Sequence, residues 1–106
     1  MRHADSNFVL GNARIANVYP IVYCSDGFVD LTGFTRAEIM QKSCACHFLY
    51  GPKTDVQVIE DISRALKNQE ELKLEVILYK KTRKFRSPNS RAGGSPARFK
   101  IFARTN

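Results

Sequence analysis

The sequence predicts one small α+β domain, with short strands placed before and after a group of helices. Three observations support this fold class: runs of alternating apolar and polar residues, two helix-capping signatures, and a length of 106 residues, which suits a single core. No run reaches the roughly 18 apolar residues of a membrane span. No signal peptide opens the chain and its cysteines number three, an odd count, which favours a reduced, cytoplasmic setting.

The first two strands are expected close to the beginning of the chain. Residues 7–11 alternate, with Phe8 and Leu10 on one face and Val9 on the other. Residues 20–24 form the second strand, because proline is tolerated at the first position of a strand.

Two capping boxes mark the starts of helices. In the first, Thr35 is the N-cap and Glu38 follows three residues later. The second box begins at Thr54 and opens the longest helix. The apolar residues of that helix recur with helical spacing and are expected to face the core: Val58, Ile59, Ile62, Ala65 and Leu66.

Two alternating runs after the long helix predict two further strands. In residues 72–80, Ile77 and Tyr79 lie on one face, and the opposite, core-facing set is Leu72, Leu74, Val76 and Leu78. Residues 97–103 alternate again, so this run is interpreted as a short strand. Phe99 and Ile101 share one face of it, and Phe102 lies on the other.

The net charge of +7 comes from the end of the chain. Residues 1–79 hold eight basic and ten acidic residues, a net charge of −2, whereas residues 80–106 hold nine basic residues and no acid, a net charge of +9. We therefore divide the chain into a body at 1–81, a flexible basic loop at 82–96 and a tail with a short strand at 97–106. Because the body is nearly neutral, the charge does not predict nucleic-acid binding.

Residues 44–55 concentrate two cysteines, a histidine and a Gly-Pro turn, and three chemistries compete for them. A zinc site needs four ligands, commonly in two spaced pairs, but the other cysteine and histidine of the chain are Cys24 and His3. A reactive thiol needs a cationic or cofactor-lined environment, and His47 alone is weak evidence for such an environment. We therefore expect no metal site, and expect the three cysteines to be small buried apolar residues.

Four motifs of the body carry a family resemblance. They are Gly11-Asn12-Ala13, the run from Ile21 to Phe28, the run from Gly33 to Gln41, and Phe48-Leu49-Tyr50-Gly51-Pro52. Together with the order of the elements, they resemble the cytoplasmic N-terminal PAS domain of eag/erg-type voltage-gated potassium channels, particularly the ether-à-go-go-related type. The resemblance covers residues 7 to 81.

The resemblance implies a PAS-like antiparallel sheet with helices on one face. The family continues with two long strands where this chain has its basic loop and the run 97–103, so the sheet is expected to be reduced to four strands. The implied function is a regulatory interaction module, not an enzyme, at the inner face of the plasma membrane. It would dock on the channel's cyclic-nucleotide-binding homology region and tune gating.

A second branch of the PAS superfamily, the light-oxygen-voltage flavin photoreceptors, has its photoactive cysteine at the position of Cys46. The positions of five flavin contacts in that branch hold other residue types here: Ala45, His47, Tyr50, Ser63 and Leu78. Both phosphate-binding arginines are replaced, and with them the charge-assisted hydrogen bonds to a phosphate. We therefore expect no flavin and no other cofactor. A PAS small-molecule or flavin sensor, or a truncated isoform without function, is the alternative.

The partner surface is expected on the face of the sheet away from the helices. Alternation and the channel resemblance together predict an apolar patch with a polar rim, made by Phe8, Leu10, Tyr23, Ile77 and Tyr79 with Asn12 and Arg36. Phe102 could join this patch or cover it. The basic residues within 80–104 are read as solvated charge, with an anionic membrane surface as the functional alternative. An exposed sheet edge, or a strand exchanged between two copies, would give a homodimer.

Overall fold

The computed structural model describes residues 7–80 and 96–105, so nearly all of the predicted basic loop lies outside the described residues. The described part contains four strands and three α-helices, and a short 3-10 turn at His47–Leu49 precedes the third helix. In chain order the elements are β1 (Phe8–Asn12), β2 (Ile21–Cys24), α1 (Asp26–Thr32), α2 (Arg36–Ile39), α3 (Val56–Lys67), β3 (Leu72–Tyr79) and β4 (Pro96–Arg104).

The four strands form one sheet in the order β2-β1-β4-β3. The α+β fold class and the four-strand sheet are thus confirmed, and β4 supplies the fourth strand. The expectation of an antiparallel sheet is corrected: β1 and β4 run parallel, while β1–β2 and β3–β4 are antiparallel, so the sheet is mixed. Parallel neighbours need a long crossover connection, and the helices and β3 provide it between β1 and β4.

The core lies between one face of the sheet and the helices. On β1 and β4 the residues facing it are Val9, Phe99 and Ile101, each fully buried. From the helical side, Phe28 of α1 meets Phe99 edge-on, with ring centroids 5.1 Å apart. The tail strand is therefore part of the core, as its alternation predicted.

The two predicted capping boxes have different outcomes. At α2, Thr35 accepts from the backbone of Glu38 while the Glu38 side chain accepts from the backbone of Thr35, so that box is confirmed. At α3 the cap is Asp55, whose carboxylate accepts from the backbone N–H of Gln57 at 2.8 Å. The prediction that Thr54 is the N-cap is wrong, because the Thr54 hydroxyl donates instead to the carbonyl of Ile77 on β3, at 2.8 Å.

Candidate interaction surface

Three aromatic rings from three different strands meet on the sheet face away from the helices. Phe8 of β1 lies between Tyr23 of β2 and Phe102 of β4, with ring centroids 5.7 Å and 5.6 Å away. The contact between Phe8 and Phe102 is edge-on, a favourable arrangement for aromatic pairs. We call Phe8, Tyr23 and Phe102 the aromatic cluster. Leu10 adjoins it, since its register partners are Tyr23 and Phe102.

A bulge increases the apolar exposure beside the aromatic cluster. The register between β1 and β2 shifts between Leu10 and Gly11. Strict alternation would place Val22 and Tyr23 on opposite faces, yet both are exposed, by 47% and 50%. The strand edge therefore presents two neighbouring apolar side chains to solvent where alternation predicted one.

Ile77 is on the same face but is separated from the aromatic cluster. The register partner of Phe8 is Lys100, and the partner of Lys100 on β3 is Glu75. Ile77 lies beyond this charged row, opposite Arg98. A charged row thus separates Ile77 from the aromatic cluster, and the predicted patch is not continuous.

The expectation that Tyr79 is exposed on this face is wrong. Only 8% of Tyr79 is accessible, because the turn at residues 51–54 covers it. The backbone N–H of Lys53 donates to its hydroxyl at 2.9 Å, and Gly51 packs directly against its ring. Tyr79 therefore fastens this turn to β3 and is not available to a partner.

The two predicted polar contacts are both engaged within the chain. The Arg36 guanidinium donates to the Asp26 carboxylate and to the carbonyl of Cys24, although 46% of its side chain stays accessible. The Asn12 side chain accepts from the backbone N–H of Arg14 at 2.9 Å. Arg36 is thus held in one orientation at the end of β2, a preorganised rim position.

The three cysteines are free thiols and fully buried, as expected from the sequence. Burial raises the pKa of Cys44 to about 11, and burial reinforced by the nearby Cys44 raises the pKa of Cys46. Thiols in this state are poor nucleophiles at neutral pH. Within residues 7–80 and 96–105, no group of three or more potential metal ligands comes together.

Two of the positions that would contact a flavin hold packed or hydrogen-bonded side chains. The hydroxyl of Tyr50 donates to the carbonyl of Ala45 at 2.8 Å, and burial raises the pKa of Tyr50 to about 12. Leu78 is fully buried in the core. Ser63 and His47 lie on an open groove of about 530 Å³ beside α3.

Nothing in the described segments could serve as a transmembrane helix, since none of their helices has the necessary length and apolar character.

Comparisons with known proteins agree with this architecture. A family model described as a PAS domain matches residues 9–87. The chain is 61% identical over 77 residues to the human voltage-gated inwardly rectifying potassium channel KCNH3. It is 53% identical over 76 residues to the human voltage-gated delayed rectifier potassium channel KCNH8. The matches cover 73% and 72% of this chain but only 7% of each channel.

Two solved structures have the same fold. The PAS domain of the fruit-fly ELK potassium channel matches with 68% identity and a TM-score of 0.60, covering 72% of this chain and 61% of that one. A light-oxygen-voltage domain studied with a flavin analogue matches with 31% identity and a TM-score of 0.63, covering 93% of this chain and 63% of that one.

Proposed function

Because this chain belongs to the PAS family, as an N-terminal PAS domain of an eag-type voltage-gated potassium channel, we propose that it is a non-catalytic regulatory module. It docks on the channel's cyclic-nucleotide-binding homology region and so tunes gating. It acts in the cytoplasm, at the inner face of the plasma membrane. The aromatic cluster is the observation that carries this proposal.

The aromatic cluster has the composition of an interface centre. Interfaces are enriched in aromatic residues and arginine, and a few such anchors supply most of the binding energy. Tyr23 is half exposed with Val22 beside it, and its ring packs against the ring of Phe8 on the neighbouring strand. The fixed guanidinium of Arg36 at the end of the same strand adds a charged rim contact.

The test is a double substitution, Phe8→Ala with Tyr23→Ala, in the 106-residue protein. Its Kd for the purified cyclic-nucleotide-binding homology region of an eag-type channel is measured by calorimetry. We expect the Kd to rise about tenfold or more, because truncated hot spots typically cost that much. Phe102→Ala should also weaken binding, which would assign the tail strand to the interface.

The matched control is Val56→Ala, which removes an apolar side chain that is 66% exposed on α3, away from the sheet face. This variant should bind like the unsubstituted protein. An unchanged Kd in the double variant, with its melting curve intact, would refute the docking assignment.

One observation favours small-molecule sensing as a second function. The groove beside α3 has a volume of about 530 Å³, within the range of ligand sites. Tyr19, Ala45 and Ile59 contribute to its apolar lining. Mass spectrometry under non-denaturing conditions would detect a copurifying ligand, and Ile59→Trp, which fills the groove, should remove it. Detection of the bare protein mass alone would leave this function without support.

A further inference from the structure

The sheet ends in a strand whose outer edge is covered at one end only. β3 is the last strand in the sheet order, and no other strand of residues 7–80 and 96–105 pairs with its outer side. The turn at 51–54 covers the end near Ile77 and Tyr79. The stretch Leu72–Val76 has no such cover from the described residues.

At the opposite edge of the sheet, a neighbouring segment of the chain runs beside β2. Residues 42–44 run beside β2, and the backbone N–H of Ile21 donates to the carbonyl of Lys42 at 3.1 Å. The N–H of Cys44 donates to the carbonyl of Tyr19 at 2.8 Å, and Pro20 forms a bridge with Ser43. The beginning of β2 is therefore capped by the chain itself, and at its far end the Arg36 guanidinium donates to the carbonyl of Cys24. This leaves β3 as the edge with the longer uncovered stretch for another strand.

The contact from Thr54 shows which backbone groups face the open edge. Its hydroxyl reaches the carbonyl of Ile77 from outside the sheet. Backbone groups alternate along an antiparallel strand, so the N–H and C=O groups of Glu75 and Lys73 point the same way. Both side chains are exposed, on the face away from the helices.

These two residues make the edge complementary to itself. When two copies of β3 pair antiparallel about a two-fold axis at Leu74, Lys73 of each copy lies opposite Glu75 of the other. Each such pair exchanges both of its backbone hydrogen bonds and brings opposite charges together. The two half-buried Leu74 side chains then meet at the axis, on the core side of the sheet.

We propose that a second copy of this chain binds along the β3 edge in this register, which joins the two four-stranded sheets into one. The covering turn limits the pairing to Leu72–Val76. The aromatic cluster lies on β2, β1 and β4, so both copies keep their proposed docking faces. The dimer is therefore independent of the proposed channel partner and can be tested alone.

The test measures the dimer dissociation constant by sedimentation equilibrium for the 106-residue protein and two variants. Lys73→Glu places two like-charged pairs across the axis and should raise the dissociation constant about tenfold, from the usual size of cross-strand charge effects. The charge swap, Lys73→Glu with Glu75→Lys, restores opposite charges in the same register and should restore dimerisation.

Lys42→Glu is the matched control, because it makes the same charge change beside β2 at the opposite edge of the sheet. It should leave the dissociation constant unchanged. A protein that is monomeric at all concentrations would overturn the proposal. A dimer that persists in the Lys73→Glu variant would also overturn it, and would point to strand exchange instead. A charge-swap variant that has a normal melting curve but does not dimerise would overturn it as well.

Discussion

Gly11 is the point where the backbone of β1 runs against a buried cysteine. A Cβ atom at this position would lie less than 3.0 Å from both the Cβ and the Sγ of Cys44. Such separations are essentially never seen between non-bonded atoms, and the fully buried Cys44 has no solvent-facing space to move into. Glycine is therefore required here by the close approach of two segments.

We expect Gly11→Ala to lower the free energy of unfolding by about 1–3 kcal/mol, the usual cost of overpacking a core. Denaturant titration followed by circular dichroism would measure it. The control is the same substitution in a Cys44→Gly background, where the facing side chain is absent. The cost of Gly11→Ala should then shrink; an equal cost in both backgrounds would show that Cys44 is not its source.

At the scale of elements, β4 is both an inner strand of the sheet and part of the core. It pairs with both β1 and β3, and its fully buried Phe99 and Ile101 face the helices. Burying two such side chains is worth about 3–6 kcal/mol, against the roughly 5–15 kcal/mol by which typical domains are stable. The domain therefore depends on this strand.

Cutting the chain after Ser87 removes β4 and should abolish cooperative unfolding or cause aggregation. Thermal melts and light scattering on the shortened protein provide the measurement. Removal of Thr105 and Asn106 alone is the control, since both residues follow the strand, and it should leave the melting temperature unaffected. If the chain ending at Ser87 melts at the same temperature as the whole, β4 contributes nothing to stability.

The elements themselves were predictable because their signals are local. Alternation predicted the strands, and Thr35 with Glu38 predicted the start of α2. The errors at Thr54 and Tyr79 have one shared cause, the turn at 51–54, which binds β3 through contacts more than twenty residues apart in sequence. Strand alternation also carries no information on the direction of a neighbouring strand, so the parallel β1–β4 pair needed the structure.

The candidate surface was predictable to a similar extent. The alternation of residues along β1 and β2 predicts that Phe8, Leu10 and Tyr23 lie on the outer face of the sheet, and the structure brings them together there. The contact of Arg36 with Asp26 and Cys24 joins the first residues of α1 and α2 to the end of β2. No local sequence pattern predicts such a contact. The bulge that exposes Val22 depends on pairing geometry, which composition does not encode.

For the molecule as a whole, charge is divided between a body of −2 and a C-terminal segment of +9. Within that segment, Arg98 and Arg104 lie exposed on β4. An anionic membrane surface would attract each basic residue near it by on the order of 1 kcal/mol. The proposed position at the inner face of the plasma membrane would bring the segment within reach of such lipids.

We expect the protein to cosediment weakly with vesicles containing phosphatidylserine, and less so as salt is raised, because the attraction is electrostatic. Phosphatidylcholine vesicles should not retain it. A variant with Arg98→Gln and Arg104→Gln is the comparison and should bind the anionic vesicles less. If the protein cosediments equally with both lipids, or with neither, the basic segment is solvated charge and does not bind an anionic membrane.

The parallel pairing of β1 with β4 also determines when this domain can be completed during synthesis. Translation delivers β1, which ends at Asn12, long before β4, which begins at Pro96. Until then the open side of β1 and the ring of Phe8 lack their final neighbours. Until β4 is synthesised, one edge of β1 stays unpaired in the nascent chain, the state in which misassociation and chaperone capture occur. The centre of the sheet can therefore form only after β4, which ends at Arg104, has been synthesised.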